Sequence, residues 1–141
     1  MIIINFKNYK TSDDALHLAQ TIEKYLPAAI IAVSGVDIGY LSYYTKLKVY
    51  AQHFDSAKGE KNTGFITSKA IKSQDAVGSL LNHSEHKLSL KEIEKSLKIA
   101  KKYNLRIVIC AHSIKEIKQI LNLYPRPYAI AFEDSKLIST I

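Results

Sequence analysis

Several residue types are scarce in this chain, and each scarcity excludes something. In 141 residues there are one cysteine, five glycines, three prolines and no tryptophan. A lone cysteine cannot cross-link a chain to itself, which rules out a disulfide framework. Cys110 closes the apolar run Arg106-Ile107-Val108-Ile109-Cys110, which predicts a packed thiol rather than a nucleophile, and a reducing, cytoplasmic setting. So little glycine and proline excludes a collagen-like or linker-rich polypeptide. Arginine is also rare: Arg106 and Arg126 are the only two among 20 basic residues, so lysine dominates the formal charge of +7. Lysine is a hydrated point charge, not the planar fork that reads bases, and no nucleic-acid partner is expected. Long apolar runs are missing as well. The opening Met1-Ile2-Ile3-Ile4 meets Asn5 and Lys7 at once, too soon for a signal peptide or a membrane span, so neither export nor a membrane partner is expected.

What is present suits a globular α/β protein. Hydrophobic residues make up 47% and charged residues 23%, and the length allows one domain over residues 1–141. Near-continuous apolar runs at Ile2 to Phe6, Ala29 to Val33, Val49 to Gln52, Ala76 to Leu81, Ile107 to Cys110 and Tyr128 to Phe132 read as parallel strands covered on both faces. Amphipathic stretches separate them. Ser12-Asp13-Asp14 supplies a cap and two carboxylates before Leu16, Ala19, Ile22 and Leu26, a stripe closed by Pro27. Ser89 with Glu92, and Ser113 with Glu116, have the spacing of a capping box. Val36 to Leu47 and Thr67 to Lys72 complete the helices. The order is βαβαβαβαβαβ.

No glycine-rich phosphate loop follows any strand, so a nucleotide site has no support. An open sheet and a barrel both remain, and both gather ligand sites at the carboxyl ends of their strands. Those ends are polar and titratable: Asn5-Phe6-Lys7, then Gln52-His53-Phe54-Asp55, then Asn82-His83-Ser84-Glu85-His86, then Glu133. A lysine, a histidine and a carboxylate converging there suit proton abstraction next to a carbonyl. The carboxylate takes the proton, and the cation and imidazole stabilise the charge developing on oxygen. His53, Asp55, His83 and His86 are metal-ligand types without a tight ligand pair on one strand, so no metal is expected. His53, His86 and His112 read as structural or exposed.

The runs Val49-Tyr50-Ala51-Gln52-His53-Phe54-Asp55, Thr63-Gly64 and Ala76-Val77-Gly78-Ser79-Leu80-Leu81-Asn82-His83-Ser84-Glu85-His86 strongly resemble triosephosphate isomerases of the short archaeal kind. Ile4-Asn5-Phe6-Lys7 is similar to that family's first strand, Val108-Ile109-Cys110-Ala111 to its fifth and Ala131-Phe132-Glu133 to its sixth. The resemblance covers essentially the whole chain and implies a TIM barrel. It implies that Glu133 is the base, that His83 is the electrophile kept neutral by a short helix beginning near Ser84, and that Lys7 serves phosphate and enediolate. That pairing of glutamate with neutral histidine is the established one for the family. Asn5 would position substrate and lysine, with Glu85 the supporting carboxylate. The substrate would be a small phosphorylated triose, with no cofactor.

The resemblance also has gaps. An eight-unit barrel needs roughly 200 residues, so the expectation is an incomplete barrel of about six strands, with strands seven and eight and their phosphate-binding amides absent. A second polypeptide would supply them, or the chain would act as a non-catalytic assembly module. Asp134-Ser135 replace paired prolines, and Ser139 and Ile141 replace hinge glycines, of the loop that shields the enediolate. Unpaired apolar edges at strands one and six, and Thr63-Gly64 at the tip of a docking loop, predict a homo-oligomer.

Overall fold

Strands without in-out alternation need cover on two sides, and the fold provides it. The computed structural model describes residues 1–57 and 61–134. Within them six parallel strands, β1 (Ile3–Asn5), β2 (Ile30–Val33), β3 (Lys48–Ala51), β4 (Gly78–Leu81), β5 (Arg106–Ala111) and β6 (Ala129–Phe132), lie side by side in chain order. They alternate with α1 (Ser12–Tyr25), α2 (Ile38–Tyr44), α3 (Ser68–Ser73), α4 (Leu90–Lys102) and α5 (Ile114–Leu121). The sequence order and the number of strands are those predicted, with boundaries shifted by one or two residues.

Alternate strand residues divide into two layers, because successive side chains leave opposite faces. Ile31, Val33, Val49, Ala51, Leu81, Ile107 and Ile109 pack under helix residues such as Ala19, Leu41, Ile71, Ile93, Leu97 and Ile120. Ile30, Ala32, Tyr50, Leu80 and Val108 form a separate buried cluster. Among the described residues no helix packs on that second face, and its burial comes from the curl of the sheet. Gly78 makes room inside the curl: a Cβ there would lie 2.6 Å from the Tyr50 ring and against the Arg106 carbonyl oxygen. Among the described residues β1 pairs with β2 alone and β6 with β5 alone.

Three local expectations need correction. The cap of α1 is Thr11, which makes no side-chain cap bond; Ser12 lies inside the first turn, and its amide instead donates to Asp37 Oδ1. Ser89 and Glu92 do form a reciprocal capping box on α4, whereas on α5 only half of one exists. There Ser113 accepts from the Glu116 amide, but the Glu116 carboxylate reaches back to the His112 amide. The helix predicted over 36–47 shrinks to α2, because residues 34–37 form a turn closed by the Asp37 amide on the Ser34 carbonyl. No helix among the described residues is long and apolar enough to cross a membrane. Ser135, Ser139 and Ile141 lie outside the described residues.

Candidate active site

Each strand end is shaped by polar side chains rather than by packing. After β1 the chain passes through buried Phe6 to Lys7, whose φ of +47° is left-handed. For a residue other than glycine that conformation costs roughly 1–3 kcal/mol, and two hydrogen bonds hold it. The Lys7 amide donates to Asn5 Oδ1 at 3.0 Å, and Gln52 Nε2, from the end of β3, donates to the Lys7 carbonyl at 2.7 Å. The Asn5 side chain thus holds the backbone of the lysine. The Lys7 ammonium lies 2.8 Å from Glu85 Oε1. The hydrogen bond between them raises the lysine pKa and lowers that of the carboxylate, both against a smaller opposing effect of burial.

After β4, Asn82 is again left-handed, with φ +60°, and it swings His83 over the mouth of the sheet. The helix predicted near Ser84 is not there. Residues 84–85 form a turn closed by the His86 amide on the His83 carbonyl at 2.8 Å. A four-residue turn aligns too few peptide dipoles to act as a helix end, and one backbone group acts instead: the Glu85 amide donates to His83 Nδ1 at 3.1 Å. A donor aimed at Nδ1 requires a lone pair there, which puts the imidazole proton on Nε2.

That Nε2 is 3.2 Å from Glu133 Oε1. Glu133 follows β6, its amide extending the ladder to the Ala111 carbonyl at 2.8 Å. Its second oxygen accepts from the Ser84 amide at 3.0 Å. The fold therefore brings Lys7, His83, Ser84, Glu85 and Glu133 together, with Asn5 beneath the lysine. A carboxylate that spans an imidazole N–H and a backbone N–H sits on two donors suited to a substrate oxyanion.

Asn5, Lys7, Gln52, His53, His83, Glu85 and His86 line a cleft of about 160 Å³. His53 and His86 stack face to face there, ring centroids 3.9 Å apart. Burial, and then the neighbouring His86, lower the His53 pKa. Stacked rings do not aim their nitrogens at a common point, and among the described residues no group of three or more His, Cys, Asp or Glu could hold a metal ion. Cys110 is buried, which pushes its thiol up to about 12, the state of a packed thiol. Sequence reading missed Gln52, Asn82 and Glu116 as parts of the site. Gln52 and Asn82 were visible as polar residues at strand ends and Glu116 as a capping residue of α5, but the partners that draw them into the site are 28 to 45 residues away.

With this geometry in place, likenesses to known proteins bear on its meaning. A family model described as triosephosphate isomerase matches residues 1–124. A triosephosphate isomerase of Metallosphaera sedula is 36% identical over 146 aligned residues, which cover 99% of this chain and 63% of the relative. One of Methanosarcina acetivorans is 33% identical, covering 99% and 64%. The crystal structure of a triosephosphate isomerase from Bartonella henselae superimposes with a TM-score of 0.73 at 18% identity, covering 84% of this chain and 54% of that one. At that identity the likeness establishes the fold: the curled sheet is part of a TIM barrel. The chain spans just under two thirds of the length of the curated relatives it matches.

Proposed function

The chain belongs to the triosephosphate isomerase family, and on that footing we propose that its strand-end residues perform the family's reaction, the interconversion of dihydroxyacetone phosphate and glyceraldehyde 3-phosphate. The observation that carries this reading is the set of contacts around His83: Nδ1 accepting from the Glu85 amide and Nε2 facing Glu133 at 3.2 Å. Glu133 removes the proton from the carbon beside the carbonyl. His83, donating from Nε2, stabilises the enediolate oxygens, and the proton returns to the neighbouring carbon. Lys7 adds positive charge for enediolate and phosphate, and its ion pair with Glu85 and hydrogen bond to Asn5 hold it in place. Substrate entry displaces Glu133 from the Nε2 and Ser84 donors, freeing them for the oxyanion.

The phosphate dianion needs backbone amides of strands seven and eight, which the six described strands do not include. Self-association is assigned to the loop around Thr63 and Gly64, where Gly64 adopts φ +85° and Phe65 is exposed. A lone, packed cysteine suits a reducing cytoplasmic setting, where the reaction would serve glycolysis and gluconeogenesis.

The test is reconstitution. Residues 1–141 by themselves give no isomerisation above background, since the phosphate is what holds the substrate and closed site together. Addition of a polypeptide carrying strands seven and eight restores the rate. A well-folded complex without activity would leave a non-catalytic assembly module as the function.

A further inference from the structure

A third carboxylate is hydrogen-bonded between the strand end that carries His83 and the one that anchors Glu133. Glu116, on α5, is largely buried and gathers donors from two strand ends. Its Oε1 accepts from Asn82 Nδ2 at 2.9 Å and from Lys87 Nζ at 3.1 Å. Its Oε2 accepts from the His112 amide at 2.8 Å and lies 2.7 Å from His112 Nδ1. On one side, Asn82 immediately precedes His83. On the other, His112 immediately follows Ala111, whose carbonyl accepts the Glu133 amide. One carboxylate therefore sits one residue from the electrophile and one residue from the anchor of the base.

Asn82 extends the brace. It is 1% exposed and uses its whole carboxamide: Nδ2 also donates to the Cys110 carbonyl at 2.8 Å, and Oδ1 accepts from the Leu88 amide at 2.8 Å. The last bond closes residues 82–88 into a ring, and the Lys87 ion pair with Glu116 clamps the same ring to α5. The same ring is also tied to the end of β5 by Lys87 Nζ, which lies 3.2 Å from His112 Nδ1. The turn that aims the Glu85 amide at His83 Nδ1 lies inside that ring.

We propose that Glu116, acting through Asn82 and the His112 amide, is a positioning residue that sets the tautomer of His83 and its register against Glu133. The proposal rests on the catalytic roles given to His83 and Glu133, but its geometry does not. Two substitutions separate it from simple stability. Asn82→Gly keeps the left-handed turn, which glycine adopts freely, and removes the clasp. Glu116→Gln keeps the shape but exchanges one acceptor oxygen for a donor, so the side chain can satisfy either the Asn82 side or the His112 side, not both.

The readout is the pair of imidazole nitrogen resonances of His83 in the isotopically labelled full chain, with no turnover assay. In the unsubstituted chain one nitrogen, Nδ1, is unprotonated and the proton resides on Nε2. In folded Asn82→Gly and Glu116→Gln chains that preference is lost and the two resonances move toward an exchange-averaged pair. Ile22→Val, a comparably mild change in the α1 core, leaves them unmoved. Retention of the tautomer in both site variants would overturn the proposal, as would a missing Nε2 preference in the unsubstituted chain. Failure of the isomerase reading would leave all of these resonances unchanged and would show only in turnover.

Discussion

Glu133 and His83 face each other across the end of β5, with Oε1 and Nε2 3.2 Å apart, although β6 and β4, the strands that carry them, are not hydrogen-bonded neighbours. The curl of the sheet makes this possible. In a flat parallel sheet next-nearest strands are roughly 10 Å apart, too far for contact without long side chains. Curling tips the strand ends inward, so a two-carbon carboxylate arm and an imidazole meet.

The curl itself can be tested at Gly78. An alanine there would press on the Tyr50 ring and the Arg106 carbonyl, both part of or next to the inner layer. Overpacking of this kind destabilises by about 1–3 kcal/mol. Gly78→Ala should lower the urea midpoint by a corresponding amount, and combining it with Tyr50→Phe should recover little, since the colliding atoms belong to the ring. An unchanged midpoint would mean that the inner face is looser than described.

The ion pair between Lys7 and Glu85 should matter for placement and little for stability. Both side chains are accessible to water, and exposed pairs contribute about 0–1 kcal/mol. Glu85→Gln should therefore leave the melting temperature nearly unchanged while the Lys7 ammonium pKa falls back toward the ordinary lysine value. Titration of the Lys7 side chain by NMR checks the direction; a pKa that stays raised would assign the effect to another group.

Glu116 gives a pH dependence with a definite sign. Burial raises its pKa, but hydrogen bonds from the His112 amide, Asn82 and Lys87 outweigh that and leave it below the ordinary carboxylate value. The folded state therefore holds this proton less tightly than the unfolded one. The stabilisation is fully present above an unfolded carboxylate pKa of ~4.3 and is lost as pH falls through the lower folded value. Glu116→Gln should cost about 1–3 kcal/mol at neutral pH, and the gap to the unsubstituted chain should narrow below that range. Urea unfolding at a series of pH values measures it, and a gap that widens in acid would refute the assignment.

Much of this was legible in the sequence, for identifiable reasons. Apolar runs such as Ile30 to Val33 have only one way to be buried on both faces, so the parallel sheet could be read directly. Ser89 and Glu92 formed their capping box because both partners lie within one helical turn. The spacing of Ser113 and Glu116 is identical, yet Glu116 turned to Asn82, 34 residues earlier, a competition that local spacing cannot reveal. The same limit hid the device at His83. A helix was expected to keep the ring neutral, whereas a single amide from Glu85 occupies Nδ1. The left-handed Lys7 depends on Gln52, 45 residues distant.

The central claim is that Glu133 is the base that moves a proton at carbon. Its most direct measurement is solvent deuterium incorporation into dihydroxyacetone phosphate in heavy water, followed by proton NMR, with the chain and a polypeptide carrying strands seven and eight present together. Deuterium should appear at the carbon beside the carbonyl, and Glu133→Gln should slow its appearance by about a hundred to ten thousand fold while leaving the complex assembled. Incorporation at an undiminished rate in the Glu133→Gln complex would contradict the account.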